Sequence, residues 1–286
     1  MSDAVHMPKA YDHAIMGSFL EKKHFAYTQL TGMPQPTYWF MTVANFQTVM
    51  DALAGLPNFG GYRAYFGYAD PKSAIPANLA TFGGSLLLIF TATDAAGNDL
   101  YLKDDATPLF VVTPPVMHGA GAVTGGKVVQ MQHDDALPLI MGYVNTILPL
   151  SRQVVTSILT KYGYAVPPKI LETTSFRLTK DWKDTVYQDV NNPAYGIKGV
   201  TFFLGAYSDD CGEDMKLFNL TTVVLQYADS FDYDGTTYYY HFDIENVDNP
   251  GPPAQTNPGG FLVGGDNTIN PCPPNTCSGT SFPPNN

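Results

Sequence analysis

Phe46, Val49, Met50 and Leu53 recur at steps of three and four residues. That spacing puts them on one face and predicts a helix over 42–55. Thr42 is placed to cap its start and Gly55 to end it. The period then changes. Gly61-Tyr62-Arg63-Ala64-Tyr65-Phe66-Gly67 is a short aromatic run bounded by glycine, and residues 85–93 form an apolar run of strand length. Asp94-Ala95-Ala96-Gly97-Asn98 has hairpin chemistry, with Gly97 free to take positive φ. Residues 109–113 and 128–131 are further strand candidates, the first stopped by Pro114-Pro115.

A second helical region spans about 139–162. Pro149 is expected to divide it. Val154, Val155, Ile158, Leu159 and Tyr162 form a single stripe along its later half, with Ser151 as its cap and Gly163 as its end. Residues 179–190 carry Trp182, Val186 and Val190 at helical spacing. The strand pattern then returns in Gly199-Val200-Thr201-Phe202-Phe203-Leu204-Gly205, in 221–227 and in 236–244. The turn Asp232-Tyr233-Asp234-Gly235 separates the last two.

The two stretches have the same order of elements. Gly61 and Gly199 lie 138 positions apart, and so do Gly67 and Gly205, Leu87 and Leu225, Asp94 and Asp232, Gly97 and Gly235, and Tyr101 and Tyr239. The expectation is an α+β protein made of two similar helix-plus-antiparallel-sheet units by internal duplication. Residues 42–102 would superpose on 180–240 without a gap. The expected divisions are 1–138 with a Gly-rich loop, 139–248, and a flexible tail over 249–286. That tail has nine prolines and one charge, Asp266, too little apolar content to offset the entropy of ordering it.

Composition narrows the function classes. The chain has 286 residues, a net charge of −11 and only 15 Lys and Arg, none in a basic run. Phosphate backbones and anionic membrane surfaces both require clustered cations, so neither nucleic acid nor a membrane is an expected partner. The N-terminus lacks a basic segment followed by an apolar one, which points to the cytoplasm, with signal-less export left open. Three cysteines do not make a disulfide scaffold. Cys272 and Cys277 could pair only if the tail meets an oxidant.

Few motifs carry chemistry. Gly121-Ala122-Val123-Thr124-Gly125-Gly126-Lys127 matches G-x-x-x-x-G-K, but Val128 stands where a phosphate loop needs Ser or Thr. The next residues, 128–131, read as strand rather than helix, so no tight nucleotide binding is expected at Lys127. His241, Asp243 and Glu245 alternate along one strand and share a face. They could hold a divalent metal. The same alternation describes a solvated strand face. The acidic run Asp209-Asp210-Cys211-Gly212-Glu213-Asp214 lacks the spacing of a calcium loop. His118 and His133 stand alone, and an acidic setting disfavours Cys211 as a nucleophile.

The strand Gly61–Gly67, the later strand with Asp94 and Gly97, and Cys272-Pro273-Pro274 together resemble a group of uncharacterised bacterial proteins. That group shows a G-hydrophobic-R-x-Y-F-G strand and a late Cys-Pro-Pro. The resemblance implies no activity, no cofactor and no catalytic residue. On the residues themselves, the leading expectation is a non-enzymatic binding or assembly protein acting through a protein partner or self-assembly. Phe261-Leu262-Val263 would serve as tail anchors, and no cofactor is expected. The alternative is a metal-dependent enzyme built on His241, Asp243 and Glu245.

Overall fold

A computed structural model describes residues 6–7, 15–102, 106–117, 123–168, 170, 172–206, 220–242, 265–266 and 270–272. The strands are β1 (His6–Met7), β2 (Tyr38–Thr42), β3 (Gly61–Tyr68), β4 (Leu86–Thr93), β5 (Leu109–Val112), β6 (Val116–Met117) and β7 (Val123–Thr124). They continue with β8 (Val128–Met131), β9 (Ser175–Thr179), β10 (Gly199–Ala206), β11 (Thr221–Tyr233), β12 (Thr236–Phe242), β13 (Gly265–Asp266) and β14 (Asn270–Cys272). The α-helices are α1 (Phe25–Thr31), α2 (Val43–Ala54), α3 (His133–Gly142), α4 (Leu148–Lys161) and α5 (Lys180–Val190). Two π-helical turns, Leu20–His24 and Tyr143–Ile147, lie within longer helical runs. The class is α+β, as the residue pattern predicts.

The strands form an eight-stranded sheet and a six-stranded sheet, here sheet 1 and sheet 2. The residue pairings given by the ladders are all antiparallel. The central strands are buried on both faces, which is why they read as largely apolar runs, with Arg63 the one charged residue among them. Trp39, Val200, Phe202 and Leu225 of sheet 1 meet Tyr62, Phe66, Leu88 and Phe90 of sheet 2 in one cluster. Phe90 and Phe202 are 5.3 Å apart, ring to ring, and Trp39 and Phe66 are 6.0 Å apart. The outer face of sheet 1 is covered by Ile15, Met16, Val155 and Leu159. The outer face of sheet 2 is covered by Leu79, Ala136, Leu139 and Ile140.

Two of the chain's crossings between the sheets run through a helix. The chain leaves sheet 1 at β2, runs through α2 and enters sheet 2 at β3. Later it leaves sheet 2 at β9, runs through α5 and enters sheet 1 at β10. Each outgoing strand pairs with the strand that the other crossing delivers: Thr42 lies opposite Gly199, and Thr179 opposite Gly61. This accounts for both glycines. A Cβ on Gly61 would sit 2.9 Å from the Leu178 carbonyl oxygen, and one on Gly199 would sit 2.2 Å from the Phe40 ring. The threonines cap the helices that come next. Thr42 accepts the Asn45 N–H and Thr179 the Trp182 N–H, each at 3.2 Å.

Several details depart from the expectations. The offset of 138 places Phe231 opposite Gly199, as Thr93 lies opposite Gly61, but the residue found there is Ala228. The loop between β10 and β11 is therefore three residues shorter than its counterpart, and a gapless match fails at this point. Residues Leu100–Leu102 form a 3-10 turn where the offset calls for a strand. Pro149 does not divide the second helical region. The run is helical from 133 to 161, and the π turn before α4 absorbs the bond that proline cannot make. Ser151 lies inside α4 rather than at its cap.

The boundary expected at 138/139 is crossed by the β2–β10 and β3–β9 ladders. In the tail, β13 pairs with β1 and β11, and β14 pairs with β9 at an edge of sheet 2. Edge pairing uses backbone groups, so composition gives no sign of it. Pro271 is tolerated there because an edge strand does not require every N–H.

Candidate functional site

Glu172 precedes β9 and is wholly buried, as is Lys23 on the first π turn. Lys23 Nζ and Ser151 Oγ each donate to Glu172 Oε2 at 2.5 Å. The N–H groups of Thr173 and Thr221 donate to Oε1 at 2.9 and 2.7 Å. Lys23 also donates to Thr221 Oγ1 at 2.8 Å. Four separate stretches of chain thus meet on one carboxylate.

Burial depresses the Lys23 pKa, with Glu172 opposing the shift. Burial would raise the pKa of Glu172, but Lys23 and the hydrogen bonds from Ser151 and Thr221 outweigh it and hold the carboxyl below its ordinary value. Tyr27 and Tyr143 stand beside the pair, and burial raises both phenols well above their usual range. Tyr143 donates to the Thr173 carbonyl oxygen at 3.2 Å. Among the described residues the buried Tyr27 hydroxyl has no partner within hydrogen-bond geometry. The ammonium and the carboxylate are both wholly buried, so the arrangement acts as an internal clasp.

The aromatic strand motif has a similar role. Arg63 and Tyr65 alternate, so they lie on the same face of β3. Arg63 Nε donates to Asp99 Oδ1 at 2.8 Å, and the Tyr65 hydroxyl donates to Asp99 Oδ2 at 2.6 Å. Arg63 Nη2 reaches the Gly97 carbonyl at 2.6 Å. Gly97 has φ +86°, and a Cβ there would meet the Arg177 guanidinium at 2.7 Å. The R-x-Y spacing thus locks the turn after β4.

The other sequence-derived positions are scattered. His241 lies in β12 opposite Ala228, whereas Asp243 and Glu245 fall outside the described residues. So do Phe261, Leu262, Val263, His118, Cys277 and the acidic run 209–214. Lys127 is exposed, and its N–H bonds Thr113 Oγ1 at the start of a strand, not a helix. His133 stacks on Tyr101 at 3.7 Å. Among the described residues, no three His, Cys, Asp or Glu side chains gather as a metal site, and no helix is long and apolar enough to cross a membrane. A cleft of about 350 Å³ is lined by Leu56, Phe59, Lys180 and Lys183, the last of which pairs with Asp51 at 2.9 Å.

The remaining feature is a projection. β11 pairs with β10 only as far as Ala228, but pairs with β12 out to Tyr233. Past Tyr239, which also pairs with Val123 of β7, residues 231–238 run on as a two-stranded ribbon, closed by Asp234 (φ +49°) and Gly235 (φ +72°). Tyr227 is the last residue of this face inside the core. Phe231 and Tyr233 continue the face outward and are 46% and 69% exposed. Phe231 stacks on Tyr238, with centroids 5.5 Å apart.

No family model, curated protein or solved structure matches the chain. The geometries of the clasp, the locked turn and the ribbon are what bear on its function.

Proposed function

We propose that this chain is a non-enzymatic binding protein, and that the β11–β12 ribbon is the surface it presents to a protein partner. The observation that carries this is the overrun of β11 past β10, which takes an aromatic core face into solvent. Soluble proteins seldom expose neighbouring large aromatics without a use for them. Aromatic side chains with a polar tip suit interfaces because they bury much area while losing little side-chain entropy. The two buried ion pairs support the same reading, since they spend their charge on holding the scaffold rigid.

Position-specific photo-crosslinking tests this. A benzophenone side chain replaces Phe231 or Tyr233 in cells that make the protein, and Asp134 on α3 serves as an exposed control. One discrete adduct from 231 and 233, absent from 134, is the expected result. Adducts of equal yield at all three positions, or none, would reject the ribbon.

We also read β2-α2-β3-β4 and β9-α5-β10-β11 as two copies of one ancestral unit. Matching order, matching threonine caps and reciprocal Thr–Gly pairings support it. An experimental structure in which the two runs differ in strand order would sink it.

A further inference from the structure

We infer that the open edge of β11 binds an extended segment bearing alternating Lys or Arg side chains, added as a further strand of sheet 1. This rests on the ribbon being the binding surface and names the chemistry of what it binds. The first ground is the backbone. Leu204 donates its N–H to Thr37 in the direction of β2, so the odd-numbered residues of β10 face β11. Their partners on β11, among them Ala228 opposite Gly199, are even-numbered. Continuing that alternation, Ser230 and Asp232 turn their N–H and C=O groups away from β12, where no described strand runs alongside. Such an edge is a template for strand addition.

The second ground is charge. Asp229, Asp232 and Asp234 lie along the ribbon, and residues 229–242 contain no Lys or Arg. Lys198, one residue before β10, donates its backbone N–H to the Ala228 carbonyl at 2.7 Å, where the pairing of β11 with β10 ends. Two copies of this edge would bring aspartate against aspartate, so self-pairing is disfavoured and a basic strand is favoured. Asp229 Oδ1 accepts the Ser230 N–H at 2.7 Å. An incoming carbonyl takes over this N–H from the Asp229 carboxylate. The faces also match. Asp232 shares one face with Ser230, while Asp229, Phe231 and Tyr233 share the other. A strand alternating cationic and apolar side chains meets both at once.

The test uses the full chain and two blocked heptapeptides, one alternating Lys and Val, the other Glu and Val. Binding is read by calorimetry and by amide shifts in NMR spectra. The Lys/Val peptide is expected to bind and to shift the amides of Ser230 and Asp232. Ser230→Pro removes an edge donor without touching the β12 ladder and is expected to weaken binding at least tenfold. Because proline could disturb the ribbon, the charge pair Asp229→Asn with Asp232→Asn provides a second variant, also expected to weaken binding at least tenfold. Asp134→Asn with Asp135→Asn makes the same change in net charge and is expected to alter affinity less than threefold. Equal weakening by both charge pairs, equal binding of both peptides, or no binding of the Lys/Val peptide would overturn the inference. A ribbon-specific crosslink without peptide binding would leave the binding reading standing and remove only this one.

Discussion

Glu172 carries a large energetic consequence for a single side chain. Replacing either Glu172 or Lys23 alone strands a buried charge, and the expected cost is about 3–5 kcal/mol. The double variant Lys23→Met with Glu172→Leu is expected to lose less than the sum of the singles, because no charge is left behind. Urea unfolding of the four proteins measures this. The pH dependence has a definite sign. Glu172 ionises more readily folded than unfolded, so its contribution is present above its ordinary value of 4.5 and is lost as pH falls through the lower folded value. Wild type is therefore expected to lose stability more steeply below that pH than the double variant. This centre is not legible in the sequence. Lys23 and Glu172 are 149 positions apart, and Ser151 reads from the sequence as a helix cap. Only the fold brings them together. The Arg63–Tyr65 alternation is visible as a motif, but its partner Asp99 is not.

At the scale of elements, local signals serve well wherever the chain obeys one period. The stripe Phe46, Val49, Met50 and Leu53 is buried as expected, and Thr42 caps α2. Gly97 and Gly235 take the positive φ that their turns require. The helical stretch before residue 31 is hidden, because a π turn shifts the stripe by one residue and blurs the 3.6 period. The full extent of β11 is hidden too. Residues 221–228 are buried throughout because both faces are covered, whereas 229–233 alternate polar and aromatic because the sandwich has ended. The two caps offer a matched test. Thr42→Ala and Thr179→Ala are each expected to cost about 1 kcal/mol, since each removes one hydrogen bond to a helix N-terminus. A cost in only one would mean that the two crossings are not equivalent. Chemical denaturation of each variant decides it.

At the scale of the whole molecule, both sheets and both crossing helices share one cluster of buried side chains. The chain should therefore unfold as a single cooperative unit. A break between Gly163 and Tyr164, in an exposed stretch, tests this. The two fragments, made together, are expected to copurify in equal amounts and melt in one transition, because β9 on one fragment completes sheet 2 on the other. Fragments that fold separately, or two separate melting transitions, would show that the strand exchange contributes little.

The same exchange constrains the order of events during synthesis. Sheet 2 lacks β9 until residue 179 has left the ribosome, and sheet 1 lacks its longest strand until residue 233 has emerged as well. Met16 contacts Gln226 across 210 positions. The usual pattern, in which an N-terminal domain folds while the rest is still being translated, is closed to this chain. For most of its translation it is a nascent chain with the aromatic strands β2, β3 and β4 already made and no complete sheet to receive them. Its yield in a cell should therefore depend on elongation rate and on chaperones that shield such strands, more than on the stability of the finished protein.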